Sequence, residues 1–163
     1  MKFDLIPQDK ETIYRKYLLE LVEKIKRRYH DSGLMASGEF EKQLEILIEG
    51  DKLSILGAKH SVDMDQGKKP GFVSSKDIYN WIMVKKGLPT VFYKRPEFYA
   101  FIIAKKITEH GIRVPNKFNK GRLISEVIDD FLENDLKKML AELGIKSIGR
   151  INSDLTQIFK IVA

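Results

Sequence analysis

The chain has 163 residues, 43% hydrophobic and 32% charged, and its 29 basic and 23 acidic side chains leave a net charge of +6. This balance suits one folded domain over residues 1–163 and excludes a disordered chain, which would hold fewer apolar residues and more net charge. The absence of cysteine excludes disulfides and thiolate metal sites, no signal-peptide core is expected in the opening decapeptide, and no window approaches the roughly 18 apolar residues of a membrane span. The positive excess suggests an acidic partner, either nucleic acid or an acidic protein face. Its densest cluster is Lys24, Lys26, Arg27 and Arg28.

Residues 9 to 29 read as an amphipathic helix. Ile13, Tyr14, Tyr17, Leu18, Leu21, Val22, Ile25 and Tyr29 recur at the spacing that lines one helix face. Asp9 suits the N-cap, and the basic residues 26 to 28 suit the C-terminal end of the dipole. The stripe is long for a small sheet, so Tyr14 and Tyr17 are candidates for a subunit contact. After two helix-breaking glycines, Phe40, Leu44, Ile46 and Ile48 alternate with Glu41, Gln43, Glu45 and Glu49, the period of a half-buried strand. Gly50-Asp51 joins this run to Lys52–Leu56, which predicts a hairpin with a tight turn.

The stretch from Gln66 to Phe72, "QGKKPGF", then interrupts the pattern. Ser74 and Asp77, at capping-box spacing, open a helix whose apolar face holds Ile78, Trp81 and Ile82 and which Gly87 and Pro89 stop. A further helix is expected from Pro96 to His110, with Phe98, Phe101, Ile102 and Ile107 on its buried side and Gly111 after its end. Residues 121 to 143 predict a long helix with a stripe of Ile124, Val127, Ile128, Phe131, Leu132, Met139, Leu140 and Leu143, ended by Gly144. The tail from Ile151 alternates as a strand that returns to the sheet. The expected fold is α+β: a small, mostly antiparallel sheet built on a hairpin, packed with a long N-terminal helix and further helices.

Few residues point to chemistry. His30, His60 and His110 lie near element ends without a second ligand at helical or hairpin spacing, so Asp63 and Asp65 near His60 read as polar residues at a strand end or in a loop. "GKKPG" is no phosphate cradle, because its lysines do not precede Ser or Thr at a helix start and Pro70 removes a backbone N–H that a phosphate nest would use. Asp129, Asp130 and Glu133 read as a solvated helix face. Tyr93, Phe98, Tyr99 and Phe101 could stack bases, but their helical spacing suits a core or subunit contact better. No catalytic residue, cofactor or metal is expected.

The order of segments is more informative than any one of them. A long helix leads to "ASGEFEKQLEILIEGDKLSILG", then "DQGKKPG", then "DIYNWIMVKKG", then a helix ending in "IAKKITEHGI". This resembles the tail-completion or head–tail connector proteins of tailed bacteriophages, including relatives in short-tailed phages of gut Bacteroidetes. In that family a small-residue-Gly motif precedes a strand hairpin, and a Gly-basic-x-Pro-Gly loop precedes an Ile-x-x-Trp helix ending in Lys-Gly. The resemblance covers residues 36 to 132, with residues 1 to 35 as helix and linker and 133 to 163 as the end of the long helix and the last strand. Two departures stand out: Val73-Ser74 replaces a proline pair, and Ser61-Val62 stands where an aromatic is common.

The resemblance implies a non-enzymatic virion protein. It would form an oligomeric ring in the neck or tail, join capsid and portal to tail, and contribute to the DNA channel. Its partners would be its own copies, other portal, neck or tail proteins and, non-specifically, packaged DNA, with no membrane involved and assembly in the cytoplasm of the bacterial host. The resemblance makes the loop an inter-subunit finger, mobile until docked: Lys68 and Lys69 supply charge, Pro70 limits the entropy lost and Phe72 anchors by burial. The residues also allow an intramolecular loop with Phe72 tucked into its own core. Two other functions remain open: a small basic nucleic-acid-binding protein, and an enzyme with an unrecognised site.

Overall fold

The computed structural model describes residues 7–50, 52–58 and 60–145. The fold is α+β: one two-stranded antiparallel sheet and a long N-terminal helix packed with further helices. The elements run α1 (Pro7–Asp31), α2 (Glu39–Lys42), β1 (Glu45–Glu49), β2 (Lys52–Leu56), α3 (Ser61–Gln66), α4 (Ser75–Val84), α5 (Thr90–Lys94), α6 (Pro96–His110) and α7 (Ser125–Asp130). After α7, a π-helical turn spans Phe131–Asp135 and α-helix resumes over 136–145. The strand expected from Ile151 lies outside the described residues.

The chain packs as two compact units. One holds residues 1–23, 45–56 and 127–163, and the other residues 24–44 and 57–126. Helix α1 contributes to both, and all eight stripe residues expected on its face are buried, from 1% exposed at Ile25 to 8% at Tyr14. Tyr14 and Tyr17 therefore contribute to this chain's own core. The helix begins at Pro7, so Asp9 is not its cap but sits within the first turn, where an acidic side chain still opposes the positive end of the dipole.

In the first unit, Lys16 Nζ lies 2.9 Å from Glu142 Oε2 and 4.9 Å from the centre of the Tyr17 ring. Burial and the hydrogen bond with Glu142 push the Tyr17 hydroxyl above its usual range. Strands β1 and β2 pair from Glu45↔Leu56 to Glu49↔Lys52 around Gly50, whose φ of 62° suits a tight primed turn. Leu44, Ile46 and Ile48 are half-buried while Glu45 and Glu49 are exposed, as the alternation predicts. Phe40 departs from the expectation. It lies in α2 rather than in the strand and is 1% exposed, with its ring 4.6 Å from that of Tyr29 in the second unit.

The long C-terminal helix starts at Ser125 rather than residue 121, and Gly144 does not end it. Phe131, Asp135, Met139 and Leu143 are its buried positions here, while Ile128, Leu132 and Leu140 are 38%, 51% and 55% exposed. From the π turn onward the buried positions recur every four residues, at Phe131, Asp135, Met139 and Leu143, which leaves Leu132 and Leu140 beside that line and exposed. Asp135 is tolerated inside because Lys138 Nζ sits 2.8 Å from its Oδ1.

In the second unit, α4 packs along α6. Ile82 is fully buried, and Ala100 and Ala104, one turn apart, are 1% and 4% exposed; small residues at this spacing let two helices approach closely. This departs from the expected face of α6 at three of its four positions, since Phe98, Phe101 and Ile102 point outward at 54%, 61% and 42% exposure while Ile107 is half-buried. Ser74 does sit at the N-cap of α4, but no side-chain capping bond forms. Lys85, at the helix end, donates to the carbonyls of Gly33 and Met35 at 2.5 and 2.9 Å and so fixes the segment that follows α1.

The burial contrast on α1 gives a direct test. Ile25→Ala should cost about 2–5 kcal/mol, the range for emptying a core aliphatic site. Leu19→Ala, at a position 51% exposed, should change stability by about 0.5 kcal/mol or less. Urea unfolding of the two variants measures both, and equal costs would contradict the assigned face.

Candidate functional site

The stretch from His60 to Gln66 was expected to be loop; it forms α3, a short helix with His60 at its N-cap and Gly67 after its end. The loop beyond it is strapped to the end of α6. Lys68 and Ile112 form an antiparallel bridge, with Lys68 N–H donating to the Ile112 carbonyl at 2.9 Å and Ile112 N–H donating to the Lys68 carbonyl at 2.7 Å. Gly71 N–H donates to the Thr108 carbonyl at 3.0 Å, and Val73 N–H donates to Thr108 Oγ1 at 3.2 Å. The loop backbone is thus hydrogen-bonded within the chain at three residues, Lys68, Gly71 and Val73.

Glycine is required at the contact for a steric reason. Gly67 and Gly111 have φ of 85° and 70°, and a Cβ on either would strike the opposing backbone: the Ile112 carbonyl for Gly67 and the Lys68 carbonyl for Gly111. Both positions need left-handed backbone and the close approach that only glycine allows.

A second loop, residues 111–124, lies against α3. Asn119 Nδ2 donates to the Met64 carbonyl at 2.7 Å, and Arg122 N–H donates to the Asp65 carbonyl at 2.9 Å. The Asp65 side chain, 6% exposed, completes the attachment. Its Oδ1 accepts from the Ile124 and Ser125 amides at 2.6 and 3.1 Å, and its Oδ2 accepts from the Ser125 hydroxyl. A carboxylate distant in sequence therefore caps the entry to α7, where helix amides have no intrahelical acceptor. Burial alone would raise the Asp65 carboxyl. The hydrogen bonds from Ser125 and Ile124, with the nearby Arg122 charge, outweigh it and hold the carboxyl below its usual range.

Both loops end in exposed aromatics. Phe72 is 85% exposed, which excludes a side chain tucked into its own core, and Phe118 is 81% exposed. Lys68 Nζ stands 3.6 Å from Asp63 Oδ2, so its charge is partly matched within the chain. Lys69 and Pro70 are exposed. Phe72, Lys69 and Pro70 are therefore free to meet a partner.

The remaining candidates play local parts. His30 Nε2 is 2.9 Å from Glu41 Oε1, His60 flanks α3, and His110 Nδ1 is 3.3 Å from the Lys106 carbonyl at the end of α6. Asp129, Asp130 and Glu133 are exposed, with Asn134 donating to Asp130 at 2.8 Å. Among the described residues no group of three or more His, Asp or Glu side chains could hold a metal ion, and no helix is long and apolar enough to cross a membrane. Comparison with known proteins finds no matching family model, no matching curated protein and no matching solved structure.

Asp65 and α3 escaped the sequence reading. "SVDMD" alternates with period two and resembles a strand end more than a helix. No local signal separates Gly67 and Gly111, which meet opposing backbone, from Gly33, Gly38 and Gly87, which lie in open space.

Asp65→Ala should destabilise the chain by about 1–3 kcal/mol, because it leaves the part-buried Ile124 and Ser125 amides without this acceptor. The depressed carboxyl also sets a sign for pH. Its stabilisation is complete above the ordinary aspartate range near 3.8 and is lost as pH falls through the lower folded-state value. Thermal melts should show a smaller loss of stability on acidification below about pH 4 in Asp65→Ala than in the parent chain. Parallel acid profiles would remove Asp65 from this role.

Proposed function

We propose that the chain is a structural virion protein that forms a ring in the neck or tail of a tailed bacteriophage, joining capsid and portal to tail and contributing to the DNA channel. The order of its segments, which resembles that of tail-completion and head–tail connector proteins, suggests the class. The observation that carries the assembly reading is Phe72. It is a large apolar side chain 85% exposed on a loop whose backbone is already bonded. An anchor held in place loses little entropy on docking, which favours association. The outward Phe98, Phe101 and Ile102 of α6 add apolar surface of the kind that an assembled particle covers. In this reading the chain has no catalytic role and acts through copies of itself and other portal, neck or tail proteins, assembling in the host cytoplasm before residing in the virion.

A second reading, a small basic nucleic-acid-binding protein, is favoured by one observation. Residues 67–73 and 111–122 hold six basic side chains and no acidic one.

Light scattering after size exclusion tests the assembly reading. The parent chain should form a discrete, concentration-dependent oligomer. Phe72→Ser should keep the parental melting temperature while weakening each contact by about 2 kcal/mol, the scale for a buried aromatic anchor. A parent chain that stays monomeric, or a Phe72→Ser variant that assembles like the parent, would overturn the reading.

A further inference from the structure

The loop of residues 113–122 is a structured, charged projection that the assembly reading does not use. Asn116 shapes its tip: Oδ1 accepts from the Phe118 and Asn119 amides at 2.8 and 2.9 Å, Nδ2 donates to the Arg113 carbonyl at 2.8 Å, and Asn116 N–H donates to the Asn119 carbonyl at 2.7 Å. The base of the loop is tied to α3 through Asn119 and Arg122. A Cβ at Gly121, whose φ is 71°, would lie 2.5 Å from Val114 Cγ1, so the two arms of the loop close tightly on one another. What this frame displays is Phe118, 81% exposed, between Lys117 and Lys120.

The charges around it are not satisfied within the described chain. Lys68 is matched by Asp63, and Arg122 is engaged near Asp65. Lys69, Arg113, Lys117 and Lys120 are exposed and have no carboxylate partner among the described residues. The Lys68–Ile112 bridge connects the two loops. Lys69 and Arg113 each follow one residue of this bridge directly in sequence, so the bridge brings the two exposed cations into neighbouring segments. Lys117 Nζ lies over one face of the Phe118 ring, 5.8 Å from its centre, so charge and an exposed aromatic ring are presented together.

We infer that this surface binds single-stranded nucleic acid, with Lys69, Arg113, Lys117 and Lys120 on phosphates and Phe118 stacking an unpaired base. An acidic protein face would use the charge but give no reason for a phenylalanine in water between two lysines. A single strand uses both, since cations track its backbone and an aromatic ring accepts any base. A duplex would use the phosphate contacts alone, because its bases are already stacked. The inference rests on the nucleic-acid reading given above and not on ring formation, which Phe72→Ser tests separately.

Fluorescence anisotropy of the full chain with a labelled oligo-dT strand, and with a duplex of equal length, tests this over a series of salt concentrations. The parent chain should bind the strand more tightly than the duplex, with affinity falling as salt rises by a slope of roughly −0.7 per phosphate contacted. Lys117→Gln with Lys120→Gln should lower affinity about tenfold or more and make that slope shallower by about 1.4, the equivalent of two contacts. A control pair, Lys76→Gln with Lys137→Gln, removes the same charge at exposed positions elsewhere and should leave affinity within about twofold of the parent. Phe118→Ala should weaken strand binding about fivefold or more, at the low end of one lost stacking contact, and leave duplex binding unchanged. Far-UV dichroism and melts confirm that each variant is folded. No strand binding, an equal loss in the control pair, or no effect of Phe118→Ala would each overturn the inference.

Discussion

The second unit depends on what α3 holds in place. This helix has only six residues, too few to persist through its own hydrogen bonds. Yet its last turn and the glycine after it receive the chain from two directions. The Asp65 carboxylate takes the amides that lead into α7, the Met64 and Asp65 carbonyls take Asn119 and Arg122, and Gly67 brings Lys68 against Ile112. A short polar helix thereby supplies acceptors for the loop of residues 111–124. Unmet backbone donors at this depth would cost more than α3 gains by itself, so the helix and the two loops are stable together.

That attachment determines how the surface is displayed. Phe72 and Phe118 are more than four-fifths exposed, which is costly for apolar side chains and common where a partner will cover them. Both sit on loops whose backbones are fixed by internal hydrogen bonds. Helix α6 repeats the arrangement with different means. Its alanines face α4, so its large side chains have nowhere to go but outward. Close packing inside and a large apolar exterior are two consequences of one choice of face.

The sequence by itself determined the parts governed by local periodicity. The eight apolar positions of α1 could bury in only one way, because a 25-residue helix with a continuous stripe has a single face to hide. The alternation at Leu44, Ile46 and Ile48 and the Gly50 turn specified the hairpin register, since a one-residue slip would invert every side chain. Pro96 and Gly111 marked the ends of α6 by backbone constraint alone.

Tertiary structure decided the rest, for reasons no local pattern carries. The inward face of α6 depended on which side chains let α4 come close, so two alanines outranked three large apolar residues. The C-terminal helix buried a narrower line than its apolar residues offered, Phe131, Met139 and Leu143 with Asp135, and left Leu132 and Leu140 outside. Asp65 acquired its role only when residues 59 and 60 positions away came within hydrogen-bond distance. The loop at Lys68 was likewise fixed by Ile112, a residue far along the chain. Periodicity describes which side of an element is apolar; the partner that approaches determines which side is covered, because burial and hydrogen bonding are satisfied between elements and not within them.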